Sequence, residues 1–199
     1  MPRAKSAAKR QRNAAATRAA ILQSARQAFA RAGYAGAGVR EIAHGAGVTA
    51  MLVNRYFGSK ERLFAEAVAE SMATTSVLAP QIASAGISGK AIATALVGIT
   101  KADAAPLEGF QIMLRSAASA SAARIGREQI DRHHQKRIAA ALQGALAPQR
   151  AAVMLSLIAG FQLMRQMLEL PALAKADAKT LVKVLAPLFD QLLVGHGRS

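Results

Sequence analysis

The chain has 199 residues, 52% of them hydrophobic, with 2 tyrosines and neither tryptophan nor cysteine. That supplies a true apolar core and argues against a disordered chain, and the lack of cysteine excludes disulfides, thiolate metal sites and cysteine nucleophiles. The formal charge of +15 is uneven, since residues 1–66 hold 12 Lys+Arg against 3 Asp+Glu, so a polyanionic partner is expected at that end.

Abundant alanine and sparse aromatic residues predict an all-α fold. Met1 to Asn13, with Arg3, Lys5, Lys9, Arg10 and Arg12, reads as a disordered basic arm. A helical stripe then begins near Ala14, with Ile21, Leu22, Ala25, Ala28, Phe29 and Ala32 at three- and four-residue spacings. Gly33 ends it, and Tyr34 is expected to pack back onto it. A short helix follows from Val39 to His44, broken by Gly45 and Gly47. Thr49 is placed to cap a helix from Ala50 to Tyr56, and Ser59 to cap the next one. Further helices are predicted over residues 90–103, 107–118, 122–146, 149–170 and 178–194, with Pro106, Pro148 and Pro171 at boundaries and Pro187 kinking the last. The domain organisation expected is an arm (1–13), a head (14–74) and a helical body (75–199).

Two short helices joined by a glycine turn and braced by a third describe a helix-turn-helix, whose second helix is slim enough for a major groove. Val48, Leu52, Val53 and Phe57 are expected to face the core. An ordinary helical hairpin has the same spacing. The residues separate the two. The run Ile21-Leu22, Ala25, Phe29, Gly33-Tyr34, then Val39-Arg40-Glu41-Ile42-Ala43, Gly45-Ala46-Gly47-Val48-Thr49, then Tyr56-Phe57-Gly58-Ser59-Lys60-Glu61, Leu63-Phe64 resembles the TetR family of transcriptional regulators. The resemblance spans roughly residues 14–72 without gaps. The stretch from Leu163 to Pro171 is similar to one actinobacterial-type subgroup of that family.

The resemblance implies a homodimeric repressor whose helical body senses a small molecule and releases DNA when it binds. It also implies phosphate contact by Lys60, backbone contact by Tyr56 and an outward, DNA-touching Arg40. Two positions depart from the family. Ala37-Gly38 replaces the usual hydroxyl residue before the second helix, and Asn54 replaces a common tyrosine. Asn54, Tyr56, Lys60 and the arm residues Lys9, Arg10 and Arg12 are the expected backbone contacts, although a solvated tail has the same composition as the arm; Thr49, Ala50, Met51 and Arg55 are the expected base readers, with Arg55 suited equally to guanine or a phosphate. Ala50 and Met51 have only apolar surface for a thymine methyl, and Asn54 also has an edge that fits adenine.

In the body, the helices from Gln149 to Leu170 and from Ala178 to Val194 form the expected homodimer surface, with Ala151, Ala152, Ala159 and Gly160 permitting close approach. Phe110, Met113, Leu114, Phe161, Met164 and Met167 are the ligand-pocket candidates, because methionine adapts to varied shapes; a core stripe has the same pattern. Gln111, Arg115, Gln162 and Arg165 are placed either to orient a ligand or to face solvent. His133-His134 lacks further ligands at metal spacing, and no catalytic or cofactor motif is present, so neither an enzyme nor a cofactor is expected. The longest apolar stretch, 151–164, is too short for a membrane span, no secretory signal is visible, and a cytoplasmic protein is expected. Two rival readings remain: a basic architectural DNA-binder without effector, and an imported or membrane-surface protein addressed by its basic N-terminus.

Overall fold

The computed structural model describes residues 2–74, 87–101 and 107–194, with side chains described for all of these except 2–11 and 73–74. Among the described residues every regular element is helical. In chain order they are α1 (Pro2–Gly36), α2 (Val39–Gly45), α3 (Ala50–Phe57), α4 (Lys60–Thr74), α5 (Gly89–Ile99), α6 (Glu108–Ser116) and α7 (Ala120–Ile130). A π-helical segment, Asp131–Gln135, precedes α8 (Lys136–Ala141). Then come α9 (Ala147–Gln162), a second π-helical segment Leu163–Met167, α10 (Pro171–Ala174) and α11 (Ala178–Val194).

Helix α1 begins at Pro2, within the segment that composition marks as a disordered arm. The cause is local: Ala, Lys, Arg and Gln dominate there, all good helix formers, and the chain meets no breaker before Gly33. Gly33 interrupts α1 with φ 67 and ψ 179, a conformation open essentially to glycine alone.

The chain divides into two compact units, Met1–Met72 with Glu108–Gln129, and Ala73–Leu107 with Ile130–Ser199. The first therefore takes in α6 and nearly all of α7, which fall within the 75–199 body expected from the sequence. Gly33 explains the attachment. A Cβ on it would stand 2.4 Å from the Arg115 carbonyl oxygen, so only glycine lets α6 come this close. Next to it the Tyr34 N–H donates to Ser116 Oγ at 2.9 Å, and Arg26 pairs with Glu108 at 2.5 Å. Phe29 and Phe64, both fully buried, meet edge to face with centroids 5.0 Å apart, tying α1 to α4.

The second unit is built on a buried cluster that includes Ile92, Leu96, Met154, Phe161, Leu185 and Phe189. Gly89 sets the approach of α5 to α11, since a Cβ there would lie 2.1 Å from the Ala186 carbonyl oxygen. Its N–H donates to Asp190 Oδ1 at 2.6 Å. Asp177 caps α11, accepting from the Thr180 N–H at 2.9 Å and the Thr180 hydroxyl at 2.7 Å.

Several helix ends differ from the periodic pattern. The helix predicted over 122–146 stops at Ala141, because Leu142 turns extended (φ −87, ψ 135) into the core, followed by left-handed Gly144 and Leu146. The helix expected to begin at Gln149 starts two residues earlier, at Ala147, with Pro148 in its first turn, where a missing N–H costs nothing. It gives way at Leu163 to the π-helical segment instead of running on to Leu170. The predicted 90–103 helix ends at Ile99, and its last residues, like Pro106, lie outside the described residues.

Candidate nucleic-acid interface

Helix α2 starts from extended Gly38 (φ −88, ψ 140), which has no side chain to cap it. Glu41 closes the end from the other side, accepting from the Gly38 N–H at 3.5 Å while pairing with Arg31. The middle of α2 is gripped by α1, where the Ser24 hydroxyl donates to the Ile42 carbonyl at 2.8 Å. The turn that follows is tied by the Val48 N–H to Ala43 O at 2.9 Å, with Gly47 left-handed at φ 67.

Thr49 caps α3, its hydroxyl accepting from the Leu52 N–H at 3.3 Å. Gly58 (φ 79) ends α3, its N–H donating to Asn54 O at 2.8 Å. Val53 and Phe57 are buried, while Val48 and Leu52 are half-buried. The Arg18 guanidinium covers the Phe57 ring, 4.8 Å from its centroid, and pairs with Glu66. The opposite face of α3 is open: Thr49, Met51, Asn54 and Arg55 are exposed and Ala50 and Tyr56 half-buried. Met51 is 80% exposed, the most of any large apolar side chain among the described residues. Arg40 is exposed on α2, and half-buried Lys60 is the first residue of α4. The structure thus gathers the eight residues singled out for DNA on α2, α3 and the start of α4. Arg12 is exposed on α1, and the side chains of Lys9 and Arg10 lie outside the described residues.

A relationship without sequence signal lies beside them. The Lys60 ammonium stands over the Tyr34 ring, 4.8 Å from its centroid, and the Tyr34 hydroxyl donates to Glu61 Oε1 at 2.7 Å. Burial, reinforced by this bond and the Glu61 charge, pushes the Tyr34 phenol up to about 12. The bond from Tyr34 holds the Glu61 carboxyl below its usual range, helped by its own backbone N–H and by Ser59. At the same helix end Ser59 Oγ accepts from the Arg62 N–H at 3.2 Å.

The six ligand-pocket candidates divide between the units. Phe110, Met113 and Leu114 belong to the first, with Leu114 exposed and the other two half-buried; Phe161, Met164 and Met167 belong to the second. In the second unit Phe161 is buried, Met164 exposed and Met167 half-buried. Of the polar residues near them, Gln162 and Arg165 are buried, Gln111 is half-buried and Arg115 exposed. Among the described residues no group of three or more His, Asp or Glu is placed to hold a metal ion, and no helix is long and apolar enough to cross a membrane.

The profile of the bacterial regulatory proteins of the tetR family matches residues 21–67, which hold α2, α3 and the start of α4. The profile of the Tetracyclin repressor-like C-terminal domain matches residues 87–193, more than half of the chain. The chain belongs to the tetR family. As a TetR-family protein it is a DNA-binding transcriptional regulator and not an enzyme. Solved structures share the fold. A TetR-family regulator from Streptomyces coelicolor is 23% identical over 90% of this chain and 95% of its own, with a TM-score of 0.53. A transcriptional regulator from Rhodococcus sp. Rha1 is 23% identical over 86% and 94%, with a TM-score of 0.61. The multidrug binding protein EbrR, solved with imidazole, is 21% identical over 86% and 93%, with a TM-score of 0.60. No curated protein matches this chain.

Proposed function

We propose that this TetR-family regulator is a cytoplasmic homodimeric repressor that binds a near-palindromic operator through α3 and releases it when a small molecule binds the helical body. The observation that carries this reading is the open face of α3, capped by Thr49, set between the turns at Gly47 and Gly58, and flanked by Lys60 and Arg40. Lys60, Tyr56 and Asn54 make the backbone contacts, with Arg12 and the basic residues before it reinforcing them. Thr49, Ala50, Met51 and Arg55 read the groove. The Thr49 hydroxyl already accepts the Leu52 N–H, so its remaining lone pair and its proton serve DNA.

Two copies associate through α9 and α11. Val184 and Leu188 lie one turn apart on α11 and are 62% and 42% exposed, and Val153 on α9 is 54% exposed. Ala152 and Gly160 are exposed on α9 and allow a close helix approach, with open space around a Cβ at Gly160. Ala151, in contrast, is fully buried within its own chain, so it serves the core. Effector release is supported by the family profile over 87–193 and by the likeness to EbrR, a multidrug binding protein.

The test is selection of bound fragments from genomic DNA, repeated with a metabolite panel. A palindrome with half-sites about one helical turn apart, or a multiple of it, is expected. Binding without sequence preference would instead identify an architectural protein.

A further inference from the structure

In the second unit a cation is buried with no counter-ion among the described residues. Arg165 is 5% exposed, its Nη1 donating to Val97 O at 2.9 Å and to Thr100 Oγ1 at 3.0 Å. Its Nε is buried and has no hydrogen-bond partner among the described residues. Among the described residues no carboxylate lies within ion-pair distance of it. The two acceptors it has are neutral groups at the end of α5. They offset only part of the cost of taking a guanidinium out of water.

The backbone around Arg165 is unusual as well. It sits in the π-helical segment, where the Leu168 N–H reaches back to Leu163 O at 3.0 Å. Glu169 follows in a left-handed conformation (φ 48) that side chains resist. Single π-helical turns recur at functional sites, where the extra residue aims a side chain that a regular helix would not present. The Phe161 ring lies 5.7 Å from the guanidinium carbon, and Met164 and Met167 belong to the same turn.

We propose that Arg165 anchors the effector through a carboxylate carried on an apolar body, received at the unpaired Nε side of the guanidinium with Phe161, Met164 and Met167 beside it. The proposal rests on the reading of the second unit as an effector-binding body, and it names the chemical class of that effector. One guanidinium edge matches one planar monoanion. A phosphate dianion would exceed the single positive charge present and would leave most of its oxygens facing apolar neighbours.

The test uses the full chain in thermal melts with n-alkanoates from butanoate to hexadecanoate and with benzoate, each against its neutral amide, with inorganic phosphate alongside. At least one carboxylate is expected to raise the melting temperature while its amide and phosphate do not. Arg165→Gln should weaken that carboxylate at least about tenfold, the scale of a lost charge-assisted hydrogen bond. Arg165→Met tests a purely structural role. Removing an uncompensated buried charge should leave the melting temperature without ligand near that of the parent, whereas a clamp needed to hold α5 would make it fall steeply.

Equal shifts from acid and amide, an undiminished acid shift in Arg165→Gln, no shift from any carboxylate, or a steep fall in Arg165→Met would each overturn the proposal. Operator release separates this from the broader reading. A neutral compound that releases DNA equally from parent and Arg165→Met leaves the regulator standing and removes the carboxylate. Failure to find any operator removes the repressor, and the melts still decide the anion site.

Discussion

The Lys60 ammonium rests 4.8 Å from the centroid of the Tyr34 ring, whose hydroxyl donates to Glu61 at 2.7 Å. Tyr34 therefore braces the first turn of α4 from two sides: its face confines the lysine and its edge confines the neighbouring carboxylate. Lys60→Ala is expected to weaken binding to every DNA sequence and to lower the salt slope by about one. Tyr34→Leu keeps the charge but frees it, so affinity should fall less and the slope should stay. Fluorescence anisotropy at several salt concentrations reads both quantities. An unchanged affinity and slope in Lys60→Ala would remove the phosphate contact.

The Tyr34 phenol, raised from 10.0 to about 12, gives a second expectation. The raised value means that the folded state favours the neutral phenol. Its stabilising contribution is complete below pH 10, and is lost as pH rises through the folded value near 12. In Tyr56→Phe protein Tyr34 is the one remaining tyrosine, so ultraviolet titration follows it directly. Ionisation late in the alkaline range is expected, returning toward the ordinary value in Glu61→Gln, which removes the carboxylate charge.

Gly33 and Gly47 share φ 67 but not their surroundings. A Cβ at Gly47 meets nothing within 4 Å, so Gly47→Ala should cost about 1–2 kcal/mol for left-handed backbone alone. At Gly33 the same methyl meets the Arg115 carbonyl oxygen at 2.4 Å, adding a clash between backbones that cannot swing away. Chemical denaturation should therefore show Gly33→Ala as clearly the more damaging. Equal losses would mean that α6 does not press on Gly33 in solution.

Thr49→Ala removes the hydroxyl that accepts from Leu52 at 3.3 Å, and a loss of about 0.5–2 kcal/mol is expected by urea unfolding. Thr49→Ser should recover most of the stability. Any operator discrimination that Thr49→Ser does not recover belongs to the methyl group.

Val184→Glu combined with Leu188→Glu places carboxylates on the exposed face of α11. Sedimentation should show a shift from dimer to monomer, with helix content unchanged because neither side chain enters the chain's own core. A persistent dimer would move the interface elsewhere.

The head was legible because its devices are short-range. Thr49 and Ser59 cap through bonds three residues away, and Gly33, Gly47 and Gly58 announce turns by composition alone. Tyr34 and Lys60 are 26 positions apart, and no periodicity links a ring to an ammonium at that distance. Arg165 shows a different limit. A lone arginine on a helix usually reaches water, and its burial follows from the C-terminal end of α5, 65 residues earlier in the chain. The early stop at Ala141 was hidden by the good helix formers Leu142 and Gln143 just beyond it, and Leu142 turns inward instead of continuing the helix.

The π-helical turn at Leu163–Met167 also resets the angular phase of the chain. One surplus residue displaces everything after it by about 100° on a helical wheel drawn from α9. Wheel projections made from Ala147 onward therefore misassign the faces of Met167 and Leu168, although they hold as far as Gln162. Relatives that lack the surplus residue would match this chain well on either side of Leu163 and still present a different residue to the interior.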